Sequence, residues 1–200
     1  MAASQLHAER LLKAPCGLAT DKEDNFYIVD LQNGRGAIYK HDPDGKRLSE
    51  PTEGFANDGI GDIALDKANG IIYFTTPSSP YIWKLDLNGE VPYKPEHFAL
   101  WDTTGLAVDS AGNVYVAAAD SLRKLNRNGD SVATVQLGDV SKVLAVDSQG
   151  RIYYATDQGK KLKRATPKCE TPQYEGDYTL EDIDTGGAYD VVAIDEADNL

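Results

Sequence analysis

The side chains whose type and spacing could do chemistry are five aspartates, each at the end of a short apolar run. They lie 45, 43, 38 and 48 residues apart. A carboxylate can ligate a hard cation or transfer a proton, but it can also accept hydrogen bonds from the backbone of the turn that follows it. A reactive site needs asymmetry, whereas these aspartates recur in every copy. We therefore interpret them as turn-forming residues: Asp21, Asp66, Asp109, Asp147 and Asp195.

Common catalytic motifs are missing from the sequence. It has no G-x-S-x-G nucleophile turn, no Walker-type phosphate loop and no H-E-x-x-H zinc motif. The histidines His7, His41 and His97 fall at different positions of the repeat, so we expect them in surface loops. Asp30 and Asp157 each end a second strand, where they are candidates for acid–base chemistry or, alternatively, solvated strand ends.

The third copy of the repeat shows which elements must position these residues. Residues 105–109 and 114–118 are apolar runs of β type separated by a turn, and 121–125 alternates apolar and charged side chains. Asn128-Gly129 then predicts a tight hairpin leading into a further alternating run at 131–136. One repeat therefore predicts four antiparallel strands.

The other copies follow the same order, and four strands in a unit of about 40 residues are typical of a β-propeller blade. We expect one all-β domain over 1–200, with repeats at approximately 14–58, 59–101, 102–139 and 140–187 and a partial fifth at 188–200. Additional strands at 4–12 and 189–195 could share a closing blade. Alternatively, the chain is a fragment of a larger propeller, which would favour homo-oligomers.

The small residue in the middle of each inner-strand phrase predicts the core. Inner strands converge near the axis of a propeller, where only small side chains fit. We therefore expect five alanines to be buried there: Ala19, Ala64, Ala107, Ala145 and Ala193.

The phrase Gly-Leu-Ala-Val-Asp-Ser-Ala-Gly-Asn-Val-Tyr-Val at 105–116 resembles the NHL-repeat propellers. The segment 61–75 resembles a second group of the superfamily, the senescence-marker/gluconolactonase-type propellers. The resemblance covers nearly the whole chain, but it is carried by the residues that build the blades.

The resemblance implies a metal site at the mouth of the central channel, because lactonase-type members hold a divalent cation there with Asn, Asp and Glu side chains. The corresponding positions here carry Cys16, Gly61, Thr104, Lys142 and Asp190. Ca²⁺ prefers about six to eight oxygen ligands, and Lys142 would repel it. A shift of one residue adds Asp62, and the preceding loop adds Asn57 and Asp58.

The expected ligand-binding residues therefore face the axis from several repeats, with Asp62 and Asp190 as the metal ligands if Ca²⁺ binds. Equivalent positions of a cyclic repeat point at the same axis, so we expect these residues to lie close together. They are Asn57, Asp58, Asp62, Thr104, Lys142 and Asp190.

Two functions remain after this reasoning. The first is a non-catalytic scaffold that presents its loops and channel mouth to a protein or small ligand. The second is a metal-dependent hydrolase of lactones or esters, which the resemblance alone implies. Binding of divalent cations would distinguish the two.

Composition limits the partners and the compartment. The net charge is −12, and residues 170–200 hold ten acidic residues and no Lys or Arg, which disfavours nucleic acid and anionic membranes. No secretory signal and no apolar span of membrane length are visible, so we expect a cytoplasmic protein, although a removed signal stays open. Cys16 and Cys169 are expected as free thiols, with a disulfide as the alternative.

One basic cluster opposes the acidic trend. We expect it to form the solvated face of a strand and its turn, with an anion site as the alternative. Its members are Lys160, Lys161, Lys163, Arg164 and Lys168.

Overall fold

Four antiparallel sheets form along the chain, because each repeat alternates strands of β-forming residues with turns rich in Asp, Asn and Gly. We analysed a computed structural model. It describes residues 12, 15–32, 35–48, 52–55, 61–76, 80–86, 98–99, 103–118, 120–138, 140, 142–156, 158, 160–168, 177–184 and 194.

Each sheet has four strands that follow one another in chain order, so each is one blade of a β-propeller. Blade 1 comprises β1–β4, blade 2 β5–β8, blade 3 β9–β12 and blade 4 β13–β16. The strands are β1 (Pro15–Thr20), β2 (Phe26–Gln32), β3 (Arg35–His41), β4 (Thr52–Phe55), β5 (Ile63–Asp66), β6 (Ile71–Thr75), β7 (Tyr81–Asp86), β8 (Phe98–Ala99), β9 (Thr103–Val108), β10 (Val114–Ala118), β11 (Ser121–Leu125), β12 (Ser131–Gln136), β13 (Lys142–Val146), β14 (Ile152–Thr156), β15 (Lys161–Pro167) and β16 (Tyr178–Asp184).

The blades are arranged around an axis by their inner strands. β1 packs beside β5, β5 beside β9, and β9 beside β13. Among these described strands, no comparable contact joins β13 back to β1. The four blades therefore form an arc around this axis. All inner strands begin at one end of the axis, called here the mouth, and pass into their first turns at its opposite end, called here the turn end.

The hydrophobic core is divided into three layers between successive blades. Ile72 and Phe74 of β6 face blade 1, whereas Tyr73 between them faces blade 3. This explains why β6 carries large apolar and aromatic side chains from Ile71 to Phe74 and does not alternate them with polar residues. The layer between blades 3 and 4 is built from Ala107, Tyr115, Ala117, Leu122, Val135, Val140, Ile152, Tyr154, Ala165 and Tyr178.

The alanine expectation is correct at one position and wrong at three. Ala107 is 6% exposed, whereas Ala19, Ala64 and Ala145 are only half-buried. In every blade this alanine pairs with a tyrosine on the neighbouring strand, as Ala107 does with Tyr115. The alanine lies two residues before the turn, near the open turn end. Its side chain is small because the tyrosine occupies the space beside it. Ala193 lies outside the described residues.

The hairpin between the third and fourth strands forms where the sequence predicts it. Gly45 and Gly129 take φ of +81° and +87°, and each donates its N–H to the carbonyl three residues earlier. The third candidate hairpin, Asn88-Gly89, lies outside the described residues. In the part of the chain that the structure describes, no helix is long and apolar enough to cross a membrane.

Candidate functional site

The repeated aspartate organises the first turn of each blade. In blade 3, Asp109 Oδ1 accepts hydrogen bonds from the backbone N–H of Ala111 at 3.0 Å and of Asn113 at 2.8 Å. Its Oδ2 accepts from the Asn113 side chain at 2.8 Å and from the Tyr115 hydroxyl at 3.1 Å. The carboxylate is thus occupied by its own turn, which confirms the structural interpretation of this residue.

The same arrangement recurs in blade 1, where Asp21 accepts hydrogen bonds from Asn25 and Tyr27. Burial raises the pKa of Asp21, but hydrogen bonds from Asn25 and Glu23, together with the charge of Lys40, hold it below the ordinary value of 3.8. Asp21 is therefore an ionised structural carboxylate.

A basic side chain completes each network. Lys40 lies over the ring of Tyr27, with its ammonium 5.2 Å from the ring centroid, and 3.7 Å from the carboxylate of Asp21. Lys124 lies over Tyr115 in the same way, at 5.0 Å from the ring centroid, and 3.7 Å from the carboxylate of Asp109. The sequence contains a signal for this network: a tyrosine stands six residues after Asp21, Asp109 and Asp147, and strand register places a lysine beside that tyrosine in blades 1 and 3.

Blade 4 keeps the network with one exchange. Arg151 replaces the asparagine and pairs directly with Asp147, whose Oδ2 also accepts from the Tyr153 hydroxyl at 3.3 Å. The hydrogen bond that Arg151 donates to Asp147 raises the pKa of Arg151. The Asp147 carboxylate is therefore buried and paired with Arg151 of the same blade.

At the mouth, Asp62 links two blades. It immediately precedes β5, and its Oδ1 accepts from the N–H of Ile63 at 3.0 Å while its Oδ2 accepts from the N–H of Leu106 in β9 at 3.1 Å. Its own N–H donates to Thr75 Oγ1 at 3.0 Å. The side chain therefore fixes the start of blade 2 against blade 3.

Two opposing effects at the mouth act on the pKa of Asp62: its burial and the charge of a lysine from another blade. Burial raises the pKa of Asp62, and the positive charge of Lys142, at the start of β13, opposes that rise together with the N–H groups of Leu106 and Ile63. Lys142 thus lies within electrostatic reach of Asp62. Thr76 follows β6 at the same end of blade 2, and its buried hydroxyl has no hydrogen-bond partner among the described residues.

Of the expected mouth residues, Asp62 and Lys142 interact electrostatically, since the charge of Lys142 lowers the pKa of Asp62. Thr104 lies in β9, but its side chain is outside the description, as are Asn57, Asp58 and Asp190. Within the described ranges, no group of three or more His, Cys, Asp or Glu residues could hold a metal ion. The ligand-binding set and the metal pair Asp62 and Asp190 stay predictions.

Two of the remaining candidates differ from expectation. Asp30 is fully buried within β2, so it is not a solvated strand end, and His41 is the half-buried last residue of β3 and does not lie in a surface loop. Asp157, His7, His97 and Cys169 lie outside the described residues. In the basic cluster, Lys163 pairs with Asp182 at 3.4 Å and Arg164 with Glu181, which favours the solvated strand face.

No protein-family model matches the sequence, and no curated protein matches it. Among solved structures, a nidogen/laminin complex aligns with a TM-score of 0.62 and 18% identity, over 83% of this chain and 64% of that one. A streptogramin B lyase aligns with a TM-score of 0.56 and 14% identity, over 92% and 57%.

Virginiamycin B lyase from Staphylococcus aureus aligns with a TM-score of 0.55 and 12% identity, over 84% of this chain and 55% of that one. The chain therefore spans less than two thirds of each of these structures. Their names include both a lyase and a protein complex, and at these identities the likeness concerns the fold alone. Together with the four sheets, it establishes that this chain has the β-propeller fold.

Proposed function

We propose that the chain is a non-catalytic β-propeller scaffold whose mouth binds a protein or a small ligand. The observation that carries the proposal is the electrostatic interaction between Asp62 of blade 2 and Lys142 of blade 4, which both lie at the start of an inner strand. Opposite charges from separate blades offer a ligand both a hydrogen-bond acceptor and a donor. The buried hydroxyl of Thr76 adds a further polar group at the same end.

The hydrogen bonds that Asp62 already accepts favour ligand binding over metal catalysis. Each of its carboxylate oxygens accepts a backbone N–H, so the side chain already has a structural task. The positive charge of Lys142, which acts on Asp62, would repel a catalytic cation bound there. Metal catalysis needs several preorganised oxygen ligands and an open position, and Asp62 alone would supply few of them.

The neighbouring structures are compatible with a binding role. One of them is a complex of nidogen with laminin, and we propose by analogy that this propeller also binds a partner. The NHL-like phrase at 105–116 points the same way. The net charge of −12 favours a neutral or basic partner over nucleic acid or an anionic membrane.

A second candidate is a metal-dependent hydrolase of lactones or esters, related to the senescence-marker/gluconolactonase-type propellers. One observation favours it: burial raises the pKa of Asp62, as is common for catalytic carboxyls. The cofactor would be Ca²⁺ or a similar cation.

Calorimetry with calcium, magnesium, manganese and zinc, followed by a screen of lactones and esters, tests the choice. The scaffold proposal expects neither tight metal binding nor turnover. Metal-dependent turnover that Asp62→Ala abolishes would favour the hydrolase.

A positive test uses a photo-cross-linking residue at Thr103, near the mouth, and at Val132 on the outer strand as the matched control. The scaffold proposal expects specific adducts from Thr103 alone. Equal adducts from both positions, or none from either, would contradict ligand binding at the mouth.

A further inference from the structure

The sequence contains four Asn-Gly pairs, and the structure describes two of them. Asn69-Gly70 belongs to the first turn of blade 2, and Asn128-Gly129 belongs to the hairpin between β11 and β12 in blade 3. The pairs at 33–34 and 88–89 lie outside the described residues. Because glycine has no Cβ, its backbone nitrogen can approach the side-chain carbonyl carbon of the preceding asparagine, and deamidation starts with that approach.

The two described pairs have similar backbones. Gly70 and Gly129 take φ of +66° and +87°, and each donates its N–H at 2.9 Å to the carbonyl of the residue that opens the turn, Asp66 or Asn126. The backbone N–H of each asparagine donates to the side chain of the same opening residue, at 3.1 Å in blade 2 and 2.9 Å in blade 3. Both asparagines are exposed. Backbone geometry and exposure therefore do not distinguish the two positions.

The hydrogen bonds of the side-chain amide do distinguish them. Asn69 Nδ2 donates to both carboxylate oxygens of Asp66, at 2.9 Å to Oδ1 and 2.8 Å to Oδ2. The Asp66 side chain is only 1% exposed, so water competes little for these bonds. The amide of Asn128 donates to no other residue in the part of the chain that the structure describes.

The bonds to Asp66 oppose deamidation of Asn69 in two ways. The side chain has to rotate until its Cγ faces the glycine nitrogen, and this rotation breaks two hydrogen bonds to a charged acceptor. Donation to a carboxylate also adds electron density to the amide and makes its carbonyl carbon less electrophilic. Neither restraint acts on Asn128.

We propose that Asn128 is a site of spontaneous deamidation and that Asp66 protects Asn69 from the same reaction. The Gly129 nitrogen forms a bond to Cγ of Asn128, and the amide nitrogen leaves as ammonia, which takes the proton of the Gly129 N–H. Water then opens the resulting succinimide at either carbonyl and gives aspartate or isoaspartate, with one additional negative charge. Water is the only co-reactant, and no oxidation or reduction takes place.

The product changes the contact between blades 2 and 3, because the modified residue follows Arg127. The Nε of Arg127 lies 3.6 Å from Asp66 Oδ2, and its carbonyl oxygen accepts a hydrogen bond from Lys84. Isoaspartate lengthens the main chain of the hairpin by one methylene, next to the residue that makes both of these contacts. Gly112 lies against the Arg127 guanidinium, since a Cβ at Gly112 would collide with it, and so reports on the position of that group.

Peptide mapping by mass spectrometry after prolonged incubation at neutral pH measures both rates in one protein. Asn69 is the matched internal control. We expect Asn128 to deamidate at least about tenfold faster than Asn69, because only Asn69 must first lose two charge-assisted hydrogen bonds. Equal rates, or a faster reaction at Asn69, would overturn the proposal.

Two variants test the cause of the difference. Asn128→Gln should abolish the reaction at 128, since glutamine would have to close a larger ring, and should leave the rate at Asn69 unchanged. Asp66→Ala removes both acceptors and should accelerate Asn69 by about tenfold or more. An unchanged rate at Asn69 in a folded Asp66→Ala protein would refute the protective role of Asp66. The comparison within the wild-type protein decides the question even if Asp66→Ala does not fold.

Amide NMR spectra of the incubated protein test the effect on the blade junction. The resonance of Gly112 should shift in protein that has deamidated at 128 and should stay in place in incubated Asn128→Gln. Gly45, in the corresponding hairpin of blade 1, is the control and should not move in either protein. An unmoved Gly112 resonance in the deamidated protein would contradict a change between blades 2 and 3.

Discussion

The aspartates that first suggest chemistry are the residues with the most complete set of structural partners. Asp109 accepts from two backbone N–H groups, an asparagine and a tyrosine, and no oxygen remains without a donor. Repetition in the sequence was the correct guide, because a residue needed by every blade is a residue that builds the blade. We propose a ligand-binding role instead for Lys142, a position at which the repeat changes.

The ionised state of Asp21 should make acid stability depend on this residue. Its pKa is lowered in the folded protein, so its contribution to the free energy of unfolding is present above the ordinary value of 3.8 and is lost as pH falls through the folded value. Asp21→Asn retains one acceptor but loses the charge, and should cost about 1–3 kcal/mol at neutral pH.

Urea unfolding at a series of pH values checks this expectation. The difference between the wild-type protein and Asp21→Asn should shrink as pH decreases from about 4 through the lowered pKa of Asp21, because protonation then makes the aspartate neutral as well. A difference that stays constant over that range would show that the charge of Asp21 does not contribute.

The electrostatic interaction between Asp62 and Lys142 gives a second test at the residue scale. Since the positive charge of Lys142 lowers the pKa of Asp62, Lys142→Met should raise that pKa further. Titration of the Asp62 carboxyl by ¹³C NMR measures the change directly. Lys168→Met, at the turn end, is the matched control and should leave Asp62 unaffected. An unchanged pKa in Lys142→Met would mean that the two groups are not close in solution.

At the scale of elements, the strands could be predicted because their signals are local. The Asn-Gly and Asp-Gly hairpins, the turn-closing aspartates and the apolar runs each involve residues close in sequence. What could not be predicted depends on contacts between blades. The Asp62 bond to Leu106 spans 44 residues, and Arg127 reaches Asp66 from the next blade. The burial of each repeated alanine likewise depends on packing against the neighbouring blade, which the local sequence pattern does not reveal.

Ala107 tests the packing between blades. It is 6% exposed and lies beside Tyr115 in the layer between blades 3 and 4. Ala107→Leu should overpack this layer and lower the free energy of unfolding by about 1–3 kcal/mol. Ala68→Leu, in an exposed turn, is the control and should change it by less than about 0.5 kcal/mol. Chemical denaturation measures both, and equal effects would show that the space around Ala107 can accommodate a larger side chain.

At the scale of the whole molecule, the arc of four blades leaves the first blade with a face that no described blade covers. In β1, Ala19 packs toward blade 2, so its neighbour Leu18 points to the opposite face. Leu18 is 61% exposed, the most exposed of the large apolar residues described. A closed ring covers the corresponding residue with another blade.

We therefore expect this 200-residue chain to self-associate through the face that carries Leu18. Burial of that face should give a dimer whose population rises with concentration, and also with salt, because the charge of −12 repels a second copy. Leu18→Glu should shift the protein to monomer, since it adds both a charge and a polar group to the contact. Val132→Glu is the matched control: Val132 is 47% exposed but lies on the outer strand β12, away from the face of blade 1. Sedimentation velocity over a concentration series separates these outcomes, and a wild-type protein that stays monomeric at every concentration would show that the face of blade 1 is satisfied within a single chain.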